Sequence, residues 1–215
     1  MKIKLIVFDV DGTITQHPSS WQFLHEHLNV WDGNADRHQK RFLAGKISYA
    51  KFCRLDVEHW KGMRASRVQK ILEKIPYTRN LKRSISLLKK KGFKLASIST
   101  GLHFLSERIK RELGFDHIMA NRLLVKRGVL TGAVRVDVGF RGKGLAFRKL
   151  LRRFSVEPHE TICIGDGDGD IPMMKHAGLS IAFHPKSKRL MRIADHVCRT
   201  NDFKEVYDII SRNSD

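Results

Sequence analysis

Short apolar runs recur along the chain at Ile3 to Val10, Phe93 to Ser99, Thr161 to Ile164, Leu179 to Phe183 and His196 to Cys198. The first is nearly continuous and stops at Asp-Gly, the pattern of a strand buried on both faces. Helix-like segments lie between most of these runs: Leu81 to Lys91, Leu102 to Leu113, Gly144 to Phe154 and Ile171 to His176. Strands alternating with helices predict an α/β fold, a doubly wound, Rossmann-like parallel sheet covered on both sides. Two regions break the alternation. Residues 15–77 hold helical patterns such as Trp21-Phe23-Leu24-Leu28 and Val68-Ile71-Leu72-Ile75, and no convincing strand. That stretch is too long for a loop and reads as a helical domain inserted after the first strand. The core is then residues 1–14 and 78–215. The second region, Arg122 to Val138, reads as a β-hairpin turning near Lys126-Arg127-Gly128.

Composition narrows the setting. The 215 residues are 41% hydrophobic, enough for a buried core. No apolar run reaches the roughly 20 residues that span a bilayer, so no membrane association is expected. The start, Met1 to Phe8, has the basic and apolar character of a signal peptide but runs straight into acidic residues; a buried strand fits better. Cys53, Cys163 and Cys198 are odd in number and widely spaced, which favours a reducing cytoplasm over a disulfide framework. The formal charge of +19 attracts anions in general, from phosphorylated metabolites to nucleic acid. Much of it lies in helical stretches such as Lys89-Lys90-Lys91 and Arg148 to Arg153, which read more readily as solvated helix faces than as a nucleic-acid stripe.

The candidate chemistry collects at strand ends. In Asp9-Val10-Asp11-Gly12-Thr13 the two acids lie two residues apart, roughly 6–7 Å along a strand and on one side of it. Both can face a pocket beyond the carboxyl edge of a parallel sheet. Gly165-Asp166-Gly167-Asp168-Gly169-Asp170 follows another buried run, and alternating carboxylates in a glycine-rich turn call for a hard cation such as Mg²⁺ or Ca²⁺. The spacing excludes an EF-hand, since Ile171 and Ala177 stand where it needs Gly and Glu. Ser99-Thr100-Gly101 ends a strand and opens a helix, a phosphate site or an ordinary helix cap. Lys143-Gly144 opens the next helix.

Taken together, the Asp9 loop, Ser99, Lys143 and the Gly165–Asp170 turn resemble the haloacid dehalogenase superfamily. The likeness is greatest to its phosphoserine-phosphatase-like branch, which Ala120-Asn121-Arg122-Leu123, Leu130-Thr131-Gly132 and Lys175 to Phe183 also resemble. The resemblance implies a phosphatase with a helical cap of the C1 type, in which Asp9 attacks phosphorus to form an aspartyl-phosphate. It further implies Mg²⁺ held by Asp9, the Asp11 carbonyl and Asp166. Ser99, Thr100, Gly101 and Lys143 would bind the phosphoryl oxygens, with Asp170 orienting the metal shell. Asp11 becomes the acid–base; holding its proton near pH 7 requires roughly 4 kcal/mol from its surroundings. The expected substrate is a small phosphorylated metabolite. In this branch a glutamate shortly after the opening motif binds the amino group of phosphoserine, whereas this chain has Gln16-His17-Pro18-Ser19-Ser20. Arg54 can meet a carboxylate, but Asp56 nearby opposes one. Gln16, His17, Arg54 and Asp56 are therefore the candidate specificity residues, and phosphoserine is disfavoured. His25 and His27 make a poor metal pair on a helix, and Trp21, Trp31 and Trp60 read as core aromatics. The alternatives are a phosphotransferase or phosphomutase of the same superfamily, or a basic nucleic-acid-binding protein acting on terminal phosphates.

Overall fold

The computed structural model describes residues 2–30 and 33–214; Trp31 lies outside them. Strand β1 (Leu5–Phe8) is buried along its whole length. Four helices follow, α1 (Ser20–His27), α2 (Gly33–Leu43), α3 (Tyr49–Glu58) and α4 (Ala65–Leu72). Helix α5 (Leu81–Lys90) then leads into β2 (Lys94–Leu102), α6 (His103–Leu113), β3 (His117–Lys126) and β4 (Val129–Arg135). The remainder is α7 (Lys143–Phe154), β5 (Thr161–Gly165), α8 (Ile171–Met174), β6 (Leu179–Phe183), α9 (Lys188–Ile193), β7 (His196–Cys198) and α10 (Phe203–Asn213).

The seven strands form one sheet in the order β4-β3-β2-β1-β5-β6-β7. Among the strand pairs of the described residues, only β3 with β4 is antiparallel. The chain winds away from β1 to β2 on one side and, later, to β5 on the other. That switch in direction opens a crevice at the carboxyl end of β1. Successive β1 residues face opposite layers. Ile6 and Phe8 join a cluster with Leu24, Trp60, Val68 and Leu72, while Leu5 and Val7 meet Phe147 and Met173. The helices between β1 and β2 thus share a continuous apolar cluster with one face of the sheet. Their chain leaves and re-enters side by side: Thr15 bridges Tyr77, and the Gln16 amide donates to the Pro76 carbonyl at 3.0 Å.

Three features differ from the sequence pattern. The hairpin is present, with its turn at Arg127 and Gly128, but β3 begins at His117 and its first part pairs parallel with β2. The hairpin also carries the helical insertion, through Gly62 N to Leu130 O at 2.9 Å and Leu130 N to Met63 O at 2.8 Å. Second, β2 stays extended to Leu102, so Ser99, Thr100 and Gly101 lie in the strand and the helix opens only at His103. Third, α9 and α10 extend the helical layers. On α10, Phe203, Val206, Ile209 and Ile210 recur at helical spacing and are buried.

His103 gives the fold a pH dependence. Its ring is buried and Nδ1 accepts from the Leu123 amide at 3.2 Å, tying α6 to β3. Burial, reinforced by the charge of Arg122, lowers its pKa from 6.5 to about 4. The unfolded chain binds a proton there more readily, so this contribution is complete above pH 6.5 and is lost as pH falls toward 4. Between pH 7.5 and 5 the wild-type melting temperature is expected to fall about 4 °C further than that of His103→Asn, as thermal unfolding across that range would show. Equal falls would assign the sensitivity to other groups.

Candidate active site

The Asp9 amide continues the ladder beyond β1 by donating to the Ile164 carbonyl at 2.8 Å, which fixes where its carboxylate emerges. Asp9 is 5% exposed, and its carboxylate pairs with the ammonium of Lys143, the first residue of α7. Lys143 Nζ also contacts Asp170 Oδ1 at 2.6 Å. The other Asp170 oxygen accepts the Asp166 and Gly167 amides, each at 3.1 Å, so this residue braces both the turn and the lysine. One oxygen from each of Asp9, Asp166 and Asp170 lies within 4.8 Å of the others. Gly12 makes room for them: its φ is +86°, and a Cβ there would sit 2.6 Å from Asp166 Oδ2.

Asp11 points a different way. Its Oδ1 accepts the Ser20 amide and its Oδ2 the Ser20 hydroxyl, both at 3.0 Å. The same hydroxyl accepts from the Leu102 amide at 3.1 Å, so the first residue of α1 joins Asp11 to β2. A Cβ on Gly101 would collide with the Asp11 carboxylate and Ser20 Oγ, so this close approach needs glycine. Ser99 is buried and its hydroxyl accepts from the Gly101 amide at 2.8 Å. The Thr100 carbonyl accepts from Trp21 Nε1 at 3.0 Å, Tyr49 OH at 3.1 Å and Asn121 Nδ2 at 2.9 Å. These three donors hold the end of β2 extended where a helix start was expected.

The electrostatics show what the acids lack. Three clustered carboxylates face one ammonium, leaving two negative charges uncompensated. Burial raises the Asp9 pKa well above the ordinary value despite Lys143. Burial, then the charge of Asp170, pushes Asp166 up to about 6. Asp11 rises to about 7 through burial and the charge of Asp9, against the pull of Ser20. Burial disfavours the Lys143 cation, but Asp170 and Asp9 outweigh it and keep it protonated. A divalent cation would cancel the excess, and an all-oxygen donor set suits a hard one.

The sequence matches the haloacid dehalogenase-like hydrolase family over residues 6–175. The chain belongs to that family. It is 32% identical to the phosphoserine phosphatase of Methanocaldococcus jannaschii over 210 residues, covering 97% of this chain and 98% of the relative. It is 29% identical to that of Idiomarina loihiensis over 97% and 94% of the two chains. Two solved structures superpose with TM-scores of 0.81 at 31% identity, over 97% of this chain and 99% of theirs. One is a phospho-aspartyl intermediate analogue of phosphoserine phosphatase, the other a substrate-bound complex of phosphoserine phosphatase. Fold, family and relatives agree on a phosphoric monoester hydrolase with the α/β architecture read from the sequence.

In this haloacid dehalogenase-like enzyme the expected residues divide into two groups. Asp9, Asp11, Ser99, Thr100, Gly101, Lys143, Asp166 and Asp170 converge on the crevice at the end of β1. The specificity candidates make contacts outside this cluster of side chains. Gln16 is exposed and donates to the Tyr77 carbonyl at 3.0 Å. His17 contacts Ser19 and packs its ring on Phe23 at 5.0 Å. Arg54 is exposed, whereas Asp56 is buried 3.6 Å from His25 Nε2. Asp168 accepts from the Ser187 hydroxyl, which also caps α9, so it ties the acidic turn to that helix. Ser20, Trp21 and Tyr49 join the site without having been singled out for it; only Asn121 carried a signal, in the family-like Ala120 to Leu123 stretch.

Proposed function

We propose that this phosphatase hydrolyses a small phosphomonoester in two displacements through Asp9. The convergence of Asp9, Lys143, Asp166 and Asp170 in one buried cluster, with Asp11 beside it, carries this reading. Asp9 attacks phosphorus, the ester P–O bond breaks, and Asp11 gives its proton to the departing alcohol oxygen. Asp11 then takes a proton from the water that cleaves the aspartyl-phosphate, releasing inorganic phosphate and restoring Asp9. Lys143 draws negative charge from the phosphoryl oxygens, while Ser99, Thr100 and Gly101 supply a hydroxyl and amides at the end of β2. Asp9, Asp166 and the Asp11 carbonyl would hold Mg²⁺, with Asp170 positioning Lys143 and the turn. The cation, when bound, neutralises phosphoryl charge and aligns it with Asp9.

Residues 15–77 act as a cap over this centre, and their closure excludes water. The substrate is a small phosphorylated metabolite; phosphoserine is disfavoured, because Gln16 and His17 stand near where the branch carries its amine-binding glutamate, while the exposed Arg54 on α3 can still meet a carboxylate. No helix among the described residues is long and apolar enough to cross a membrane, and the three free cysteines are buried, which fits cytoplasmic residence. Phosphate release from a panel of phosphomonoesters, with Mg²⁺ and with chelator, tests the reading. Activity is expected with Mg²⁺ only, and phosphoserine is expected among the poorer substrates. Full activity in chelator, or phosphoserine as the best ester, overturns the corresponding part.

A further inference from the structure

A second concave site lies on the same edge of the sheet, beside the catalytic turns and outside the acid cluster. It is a cavity of about 400 Å³ lined by Phe140, Arg141, Asp168, Gly169, Pro172 and Arg189, among others. Its walls are the turn closed by Gly142 N donating to Gly139 O at 2.8 Å, the acidic turn, and the first residues of α9. Arg141 and Arg189 have no carboxylate partner among the described residues, and Asp168, the one acid in the wall, is engaged by the Ser187 hydroxyl. Arg141 stands two residues before Lys143 and Asp168 two before Asp170, so the cavity wall is within about 7 Å of chain from that ion pair on both sides. Phe140 divides the cavity from the helices above: its ring packs edge-on against Phe42 at 5.0 Å and lies 6.0 Å from Tyr49.

We infer that this cavity is a subsite for a second anionic group, a phosphate or carboxylate, at the far end of the substrate whose phosphoryl group sits at Asp9. The inference rests on the hydrolysis proposed above and assigns its substrate class: an ester with an anion at each end, its carbon skeleton lying along Phe140. Two guanidinium groups offer paired N–H donors matched to an oxyanion.

Hexyl phosphate and 1,6-hexanediol bisphosphate differ only in the second anion and so test the assignment. Wild-type enzyme is expected to show a KM about tenfold lower for the bisphosphate, a preference reduced to about twofold or less in Arg141→Ala/Arg189→Ala. Calorimetric binding of the bisphosphate to Asp9→Asn, with and without the two arginine substitutions, should show the same tenfold loss with no turnover involved. An unchanged preference in the double variant, or binding indifferent to the arginines, overturns the subsite. If wild-type enzyme hydrolyses neither ester, the proposed hydrolysis fails, and the calorimetry still decides the subsite.

Discussion

Asp9→Asn is expected to lower kcat by about 10⁴-fold or more while the protein folds normally. The amide has the size and shape of the carboxylate but cannot attack phosphorus to give an acyl phosphate. The structure explains why the fold should survive. Asp9 is buried among acids, and burial already disfavours its charge. Removing that charge relieves repulsion with Asp166 and Asp170, and Lys143 keeps its 2.6 Å contact to Asp170. Steady-state kinetics should therefore collapse while the melting temperature holds or rises. Wild-type-like turnover in the variant, prepared in parallel to exclude contaminating phosphatases, would remove Asp9 from the chemistry.

Lys143→Met should damage activity and stability together. The methionine keeps most of the buried aliphatic volume but leaves Asp9 and Asp170 without their shared cation. Breaking a buried ion pair from one side costs about 3–5 kcal/mol, which in a chain of this size corresponds to a melting temperature lower by about 10 °C. Loss of the ammonium beside the phosphoryl group should lower kcat by about 10³-fold. Added Mg²⁺ should recover part of the stability and little of the rate, because a divalent ion can neutralise the acids without standing where Lys143 meets phosphoryl oxygens. Thermal melts and kinetics across a Mg²⁺ titration separate the two effects. A variant as stable as wild type in chelator would show that the acids are not held by this lysine.

Much of this site can be read along the chain because its parts are local. Asp9 and Asp11 lie on one turn, Asp166 to Asp170 on another, and each follows an apolar run whose strand character is plain. What escapes a linear reading depends on contacts across the fold. Ser99-Thr100-Gly101 looks like the start of a helix, yet Trp21, Tyr49 and Asn121 seize the Thr100 carbonyl from three separate elements and keep the strand extended. Ser20 lies nine residues from Asp11, and only the folded chain brings it onto that carboxylate. Gln16 and His17 follow the opening motif closely in sequence but turn toward Tyr77 and α1. The first part of β3, His117 to Asn121, was missed as well. Helix α10 was missed although Phe203, Val206, Ile209 and Ile210 follow helical spacing.

The doorway formed where Thr15 meets Tyr77 and Gln16 meets Pro76 has an evolutionary consequence. Because the two ends of the excursion are already neighbours, lengthening or replacing what lies between them adds little further loop-closure entropy. The stretch between these ends can therefore lengthen or change while Asp9, Lys143 and the acidic turn, which lie outside it, keep their contacts with one another.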